Sequence, residues 1–155
     1  MDHREIIAGF STDRTSLLAM LHALQDSHPR NYLTEETLRA VAAHFGVPLS
    51  WVCGVAGYYS MFSLKPRGRY IIRVCSSPVC NMLGSSGILD TLADILGIKP
   101  GETTPDGLFT VEEAECLGIC DVAPAMMINR EVHGNLNRKS LETLINELRT
   151  KQNGQ

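Results

Sequence analysis

A chain of 155 residues that is 44% hydrophobic can bury the core of one ordinary domain, or of a small domain with a helical extension. Charged residues make up 20% of the chain and the formal net charge is −3, which argues against a nucleic-acid-binding protein, since those carry a basic face. No apolar run approaches the roughly 20 residues that span a bilayer, and the start, MDHREIIAGF, lacks the features of a secretory signal. We therefore expect a cytoplasmic protein with no nucleic-acid partner and no membrane insertion, in which thiols stay reduced.

The first third of the sequence predicts three short helices. One of residues 11–13 can cap a helix that runs to about residue 27, with leucines recurring at helical spacing. Thr34 is the expected N-cap of a second helix that ends at Phe45, where Gly46 stops it. Pro48 suits the first turn of a third helix.

The end of the third helix, GVAGYYSMF, is rich in aromatic and small residues. Short amphipathic helices cannot each bury an apolar face alone, so we expect a small bundle with this segment in its core. The alternative is that Tyr58, Tyr59 and Phe62 reach a partner or the second domain. The polar, turn-rich stretch 65–69 marks a boundary, which predicts a helical extension over residues 1–66 and a second domain over residues 67–155.

The second domain alternates strand and helix. A strand over residues 70–74 ends directly at Cys75, and a helix capped by Ser85 or Ser86 covers residues 88–96. Further strands are expected at 109–111, 125–128 and 131–133, the last two joined by a tight turn at 129–130. Asn137 can cap the final helix. The order predicts an α/β layer.

Four of the five cysteines form two close pairs, Cys75 with Cys80 and Cys116 with Cys120. Spacings of four and three intervening residues let both thiolates of a pair turn toward one centre on a short loop. The first pair begins where a strand is predicted to end, which gives that ligand a rigid support. If the intervening chain folds back, the two loops meet and four thiolates surround one site.

Three kinds of site use several reduced thiols. An iron–sulfur cluster and a structural zinc ion both accept four thiolates, but zinc loops commonly use C-x2-C turns in a much smaller fold. A thioredoxin-type disulfide enzyme needs C-x-x-C at a helix N-terminus, and the sequence has no such pair. These comparisons favour a cluster. The fifth cysteine, Cys53, lies among apolar residues of the third helix and is expected to be a buried, inert thiol.

The run PRGRYIIRVCSSPVCNMLGS, followed by GETTPDGLFTVEEAECLGICDVAPAMMIN, resembles the thioredoxin-like [2Fe-2S] ferredoxins. It looks most like the small cluster-bearing subunit of the NADH-oxidising module of complex I and of NAD-linked, often electron-bifurcating, hydrogenases and formate dehydrogenases. The upstream residues 17–62 are similar to the helical extension of that family. The resemblance implies an α/β fold, in which a small N-terminal helical bundle precedes a thioredoxin-like [2Fe-2S] ferredoxin domain.

The resemblance also implies one [2Fe-2S] cluster as the cofactor, with Cys75, Cys80, Cys116 and Cys120 as its ligands. It implies an electron-transfer subunit of an NAD(P)H-dependent oxidoreductase, beside a larger flavin- and NADH-binding subunit and further iron–sulfur subunits. The sequence has no dinucleotide-binding glycine pattern, so FMN and NAD are expected on that partner. The short ending, EVHGNL and one helix, favours the hydrogenase or formate dehydrogenase form over the complex I form.

A cluster held by four thiolates is an anion, which needs backbone N–H groups directed at its sulfurs. Gly84 and Gly118 are expected to let the backbone approach closely there, because glycine has no side chain. All-cysteine ligation favours a low reduction potential.

Overall fold

The computed structural model describes residues 2–153, and the side chains of residues 2–151. The chain divides into two compact units, one ending at Arg69 and the other beginning at Tyr70. This division lies just after the predicted boundary between residues 66 and 67.

The first unit is helical, as the leucine spacing predicts. Its helices are α1 (His3–Ala8), α2 (Leu17–Ser27), α3 (Glu35–Phe45) and α4 (Leu49–Tyr58), with a 3-10 turn at Arg14–Ser16 before α2. The predicted ends of α3 are confirmed: Thr34 Oγ1 accepts the N–H of Thr37, and Gly46 follows with φ 63°. The sequence reasoning missed α1, whose N-cap Asp2 accepts the N–H of Arg4.

The core of the first unit is formed by the apolar face of each helix. Its buried members are mainly aliphatic: Ile7, Leu17, Met20, Leu21, Leu24, Leu33, Leu38, Val41, Val52 and Ala56. Phe62 joins this core beyond the end of α4, as expected. The expectation was wrong for Tyr58, which is 82% exposed, because α4 turns Val52 and Ala56 inward and Tyr58 lies on the opposite face.

The second unit is built on a four-stranded sheet. The strands are β1 (Tyr70–Cys75), β2 (Phe109–Ala114), β3 (Met126–Ile128) and β4 (Glu131–His133), in the order β2-β1-β3-β4. β1 runs parallel to β2 and antiparallel to β3, and β4 is antiparallel to β3. The predicted strands are present, and the mixed α/β class is confirmed.

Three helices accompany this sheet: α5 (Pro78–Met82), α6 (Ser85–Leu96) and α7 (Arg138–Asn153). The helices α6 and α7 cover one face, because alternate residues of β1 and β2 point to the same side. The shared core contains Ile72, Val74, Ile88, Leu92, Phe109, Val111, Met126, Leu141 and Ile145. The predicted cap of α7 is confirmed, since Asn137 Oδ1 accepts the N–H of Ser140 at 3.0 Å.

Within residues 2–153, no individual helix is both long and apolar enough to cross a membrane. The consecutive helices α3 and α4 meet that length and composition test only when taken together, and they are bent by 116° at their junction.

Candidate metal centre

The two cysteine loops start from neighbouring strand ends. β1 and β2 are adjacent and parallel, so both finish at the same edge of the sheet, with Cys75 paired in register with Ala114. One residue further on, the N–H of Ser76 donates to the Ala114 carbonyl at 2.8 Å. The residues between the two cysteine pairs therefore begin and end at the same edge of the sheet. The predicted meeting of the two loops requires this.

The first loop is short and largely helical. Cys75 is the last residue of β1, and Cys80 lies on α5, which begins at Pro78. Both thiols are buried, with 1% of each residue exposed. The N–H of Cys75 donates to the Ala125 carbonyl at 3.1 Å, which ties this loop to the chain just before β3.

The second loop holds its cysteines at the surface. Cys116 follows β2, and Cys120 begins a 3-10 turn, Cys120–Val122; both are exposed. Gly118, midway between them, has φ 75°, a left-handed conformation that strains other residues. The second loop therefore completes an open-sided site, of which the first loop is the buried wall.

Apolar groups surround the buried pair. Cys75 and Cys80 form a small cluster with Ala125, against which Leu117, Ile119, Val122 and Ala123 pack. This arrangement excludes water from one side of the thiols and leaves the Cys116 and Cys120 side accessible. Such an environment makes uncompensated thiolate charge costly, so polar donors become important.

Groups of both loops act on the pKa of Cys75. Burial by itself raises the pKa of Cys75, but hydrogen bonds from Ser77, the Leu117 backbone and Cys80 outweigh it and lower the pKa from 9.0 to about 7. The Ser77 hydroxyl lies 3.2 Å from Cys75 Sγ. Leu117 belongs to the second loop, so one loop stabilises the thiolate of the other.

The pKa values of the remaining thiols depend on their cysteine neighbours. Burial, followed by the hydrogen bond with Cys75, raises the pKa of Cys80, while a backbone hydrogen bond from Ala125 opposes the rise. The hydrogen bond with Cys116 is the main cause that raises the pKa of Cys120, and the charge of Cys75 adds to it. Cys75 acts on the pKa of both Cys80 and Cys120, and Cys116 acts on that of Cys120, so the four predicted residues lie near one another and would repel as thiolates. A bound cation relieves that repulsion.

The arrangement of the two cysteine pairs is relevant to whether a zinc ion or an iron–sulfur cluster fits the site. In the described part of the chain, no group of three or more histidine, cysteine, aspartate or glutamate side chains is placed to hold one metal ion. A tetrahedral zinc site requires four ligands around a single ion. Four cysteine thiols on two loops that leave adjacent strand ends are the kind of donor set that a [2Fe-2S] cluster uses, so the residues present fit that group.

Several contributors to this site were missed at the level of sequence. Helix α5, the Ser77 hydroxyl and the Leu117 and Ala125 amides did not stand out, although Pro78 after Ser77 is a typical helix start. Gly84 and Gly118 were expected to permit close approach. Both have positive φ and open space where a Cβ would lie. Their left-handed backbone conformation, not a close approach of other atoms, therefore favours glycine at these positions. Cys53, which was expected to be buried, is half-buried against the core of the first unit and is a free thiol.

Comparison with known proteins agrees with this geometry. The family model for the thioredoxin-like [2Fe-2S] ferredoxin matches residues 3–149. An NADH-quinone oxidoreductase subunit from Aquifex aeolicus is 41% identical over 126 residues, which are 81% of this chain and 78% of that relative. The corresponding NADH-quinone oxidoreductase subunit from Mycobacterium tuberculosis is 36% identical over 97% of this chain, which spans 59% of that longer relative.

A solved structure is also similar. The NAD+-reducing [NiFe]-hydrogenase in its air-oxidised state superposes with a TM-score of 0.77 at 26% identity, covering 88% of this chain but only 23% of the hydrogenase chain. The expected cofactor and the expected fold are both those of the matched family. This chain therefore belongs to the thioredoxin-like [2Fe-2S] ferredoxin family, whose cofactor is a [2Fe-2S] cluster.

Proposed function

We propose that this chain is an electron-transfer subunit that holds one [2Fe-2S] cluster through Cys75, Cys80, Cys116 and Cys120. The observation that carries the proposal is the meeting of two cysteine pairs at the ends of adjacent parallel strands, in a chain of this family. The protein exchanges electrons with a flavin on a larger NADH-binding subunit and has no turnover of its own. It works in the cytoplasm, where its thiols stay reduced.

The role of the protein is to hold the cluster in place and to limit the reorganisation that electron transfer requires. When bound, the cluster supplies a site that gains and loses one electron. The rigid ends of β1 and β2 fix one ligand and the start of the second loop. The backbone of Leu117 acts to lower the pKa of Cys75, and that of Ala125 acts to lower the pKa of Cys80, which favours the thiolates that a cluster requires.

The ligands are buried on one side of the centre and exposed on the other, so the centre is accessible from one side. Cys75 and Cys80 face an apolar wall, whereas Cys116 and Cys120 are exposed. An electron donor or acceptor therefore approaches from the second-loop side without having to displace protein. The exposed thiolates also place the centre where solvent or a partner can adjust its potential.

We further propose that the complex is an NAD-linked hydrogenase or formate dehydrogenase. The superposition on the NAD+-reducing [NiFe]-hydrogenase supports this choice. The second candidate is an NADH-quinone oxidoreductase, which the names of the curated relatives favour. The two candidates share the flavin subunit and differ in the terminal acceptor.

The test is anaerobic purification of the full chain with its untagged neighbours. We expect a red-brown protein with about two irons and two sulfides per chain and an EPR signal upon reduction. The complex should reduce NAD with hydrogen or formate. NADH oxidation coupled only to quinone would select the second candidate, and a colourless, folded chain with bound zinc would overturn both.

A further inference from the structure

The segment that joins β4 to α7 is hydrogen-bonded to the chain that follows Cys120. The N–H of Asn135 donates to the Val122 carbonyl at 2.7 Å, and the N–H of Leu136 donates to the Pro124 carbonyl at 3.3 Å. We name residues 134–136 the junction segment. Its two backbone hydrogen bonds connect parts of the chain that are separated by the β3–β4 hairpin, so they form only in the folded second unit.

Gly134 lets the junction segment lie directly against Val122. A Cβ on Gly134 would lie 2.4 Å from Val122 Cβ and 2.6 Å from the Val122 carbonyl oxygen, so a side chain there would push the two segments apart. Val122 in turn packs against the apolar group formed by Cys75, Cys80 and Ala125. The junction segment therefore contacts the wall of the cysteine site through a single residue.

Val122 is also the last residue of the 3-10 turn that begins at Cys120. The N–H of Val122 donates to the Ile119 carbonyl at 3.3 Å, and the N–H of Ala123 donates to the Cys120 carbonyl at 3.4 Å. Because the turn is hydrogen-bonded and short, a displacement of Val122 moves Cys120 as well. Cys120 is exposed, so its position depends on the backbone more than on packing of its side chain.

Asn135 has the backbone conformation on which the junction segment depends. Its φ is 51°, in the left-handed region, where asparagine is enriched several-fold among residues other than glycine. Rotation about this φ moves the N–H of Leu136 relative to the N–H of Asn135, so the two hydrogen bonds together require the left-handed value. The residue is exposed, and its backbone conformation therefore matters more than burial of its side chain.

We propose that Asn135 is a positioning residue for the cluster, because its left-handed backbone holds the junction segment against Val122. In this way it fixes the exposed ligand Cys120 relative to the buried cysteines of the first loop. This inference rests on the proposed function, since Cys120 needs a fixed position only as a ligand. Solvent exposure and the surroundings of the ligands set the potential of an iron–sulfur cluster, so a residue that touches neither iron nor sulfide affects electron transfer through its ligand.

The experiment uses the cluster-loaded full chain and three substitutions of one residue. Asn135→Val strains the backbone most, because a β-branched residue is an outlier in the left-handed region. Asn135→Ala strains it less, and Asn135→Gly removes the strain while it keeps the N–H.

Asn129→Val and Asn129→Ala are the matched controls. Asn129 is also left-handed, with φ 55°, and lies in the turn between β3 and β4 of the same unit. Its Oδ1 accepts the N–H of Ile71 at 2.9 Å, so its replacement removes a hydrogen bond in addition to straining the backbone. The controls should therefore destabilise the unit at least as much as the matching Asn135 variants do.

The measured quantities are the stability in urea, the half-life of visible absorption with an iron chelator, the midpoint potential and the EPR spectrum of the reduced cluster. Amide hydrogen exchange at Val122 and Ala123 in the iron-free full chain adds a readout that needs no cluster.

We expect the chelator half-life to fall about fivefold or more in Asn135→Val. It should fall by a smaller factor in Asn135→Ala and remain that of the wild type in Asn135→Gly. The EPR spectrum and the midpoint potential should change in the same order, and exchange at Val122 and Ala123 should become faster. The Asn129 variants should lose stability in urea but keep the wild-type EPR spectrum, midpoint potential and amide exchange at these two residues.

A wild-type EPR spectrum and potential in both Asn135→Val and Asn135→Ala overturns the positioning role. Equal changes in the Asn129 and Asn135 variants also overturn it, because lower stability alone then explains them. If Asn135→Val does not fold, the comparison of Asn135→Ala with Asn129→Ala decides. A wild-type chain that binds no iron contradicts the proposed function itself, and the amide exchange then still shows whether Asn135 fixes the turn that carries Cys120.

Discussion

The N–H of Ser76 donates to the carbonyl of Ala114 at 2.8 Å, so the two cysteine loops leave the sheet side by side. This contact joins residues far apart in sequence and exists only because β1 and β2 are adjacent and parallel. The two loops therefore form one site, and we expect a substitution in either loop to affect all four cysteines.

Replacing one predicted ligand should abolish or strongly alter the cluster. We expect Cys80→Ser or Cys116→Ser to lower the iron content to less than half that of the wild type, because serine is a poorer ligand for iron than thiolate. Iron and sulfide are measured after anaerobic purification, with visible absorption and EPR. Cys53→Ser is the matched control and should retain the wild-type iron content, since Cys53 packs against the core of the first unit. Full iron loading in both ligand variants would contradict the assignment.

Gly118→Ala should shorten the lifetime of the cluster. Its φ of 75° costs a residue with a Cβ about 1–2 kcal/mol, which corresponds to a factor of about 5–30 in favour of an open loop. The half-life of visible absorption in the presence of an iron chelator measures the effect. Gly87→Ala is the control, since Gly87 lies in α6 with open space around it and alanine favours the helix. Equal half-lives for the two variants would show that the loop does not need the left-handed conformation.

Gly134→Ala should destabilise the second unit through its contact with the second loop. A Cβ at this position would lie 2.4 Å from Val122 Cβ and 2.6 Å from the Val122 carbonyl oxygen. The backbone oxygen cannot move away freely, because it also accepts the N–H of Asn135 at 2.7 Å. We expect a loss of about 1–3 kcal/mol in urea unfolding, typical of overpacking, and a faster loss of the cluster. A variant with wild-type stability would mean that the end of β4 can shift without cost.

Gln25 should be needed for the stability of the first unit. Its buried side chain donates to the Met61 carbonyl at 3.0 Å and accepts the N–H of Ser63 at 2.8 Å, which fixes the segment after α4. Gln25→Met keeps the volume but leaves both backbone groups without this partner, so we expect a loss of about 1–3 kcal/mol. Urea unfolding followed by circular dichroism measures it, and Lys65→Ala serves as an exposed control in the same unit. A loss below about 0.5 kcal/mol, the range of ordinary surface substitutions, would contradict this role.

Much of the local structure could be predicted from short stretches of sequence. The caps Thr34, Gly46 and Asn137, the strand that ends at Cys75 and the turn at residues 129–130 all follow from neighbouring residues, since capping and turn formation act over one or two turns of chain. The spacing of the cysteines and their resemblance to a family likewise needed no coordinates. Short elements such as α1 and α5 were missed because too few residues carry a periodic signal.

The sequence by itself determined which residues are thiols, how closely each pair is spaced and which stretches form helices and strands. Only the tertiary structure decided that Cys75 and Cys80 are buried while Cys116 and Cys120 are exposed, and that the backbones of Leu117 and Ala125 act to lower the pKa values of the buried pair. It also placed Tyr58 and Met82 at the surface. The physical reason is that strand order and side-chain burial depend on contacts between residues far apart in the chain, which local propensity does not encode.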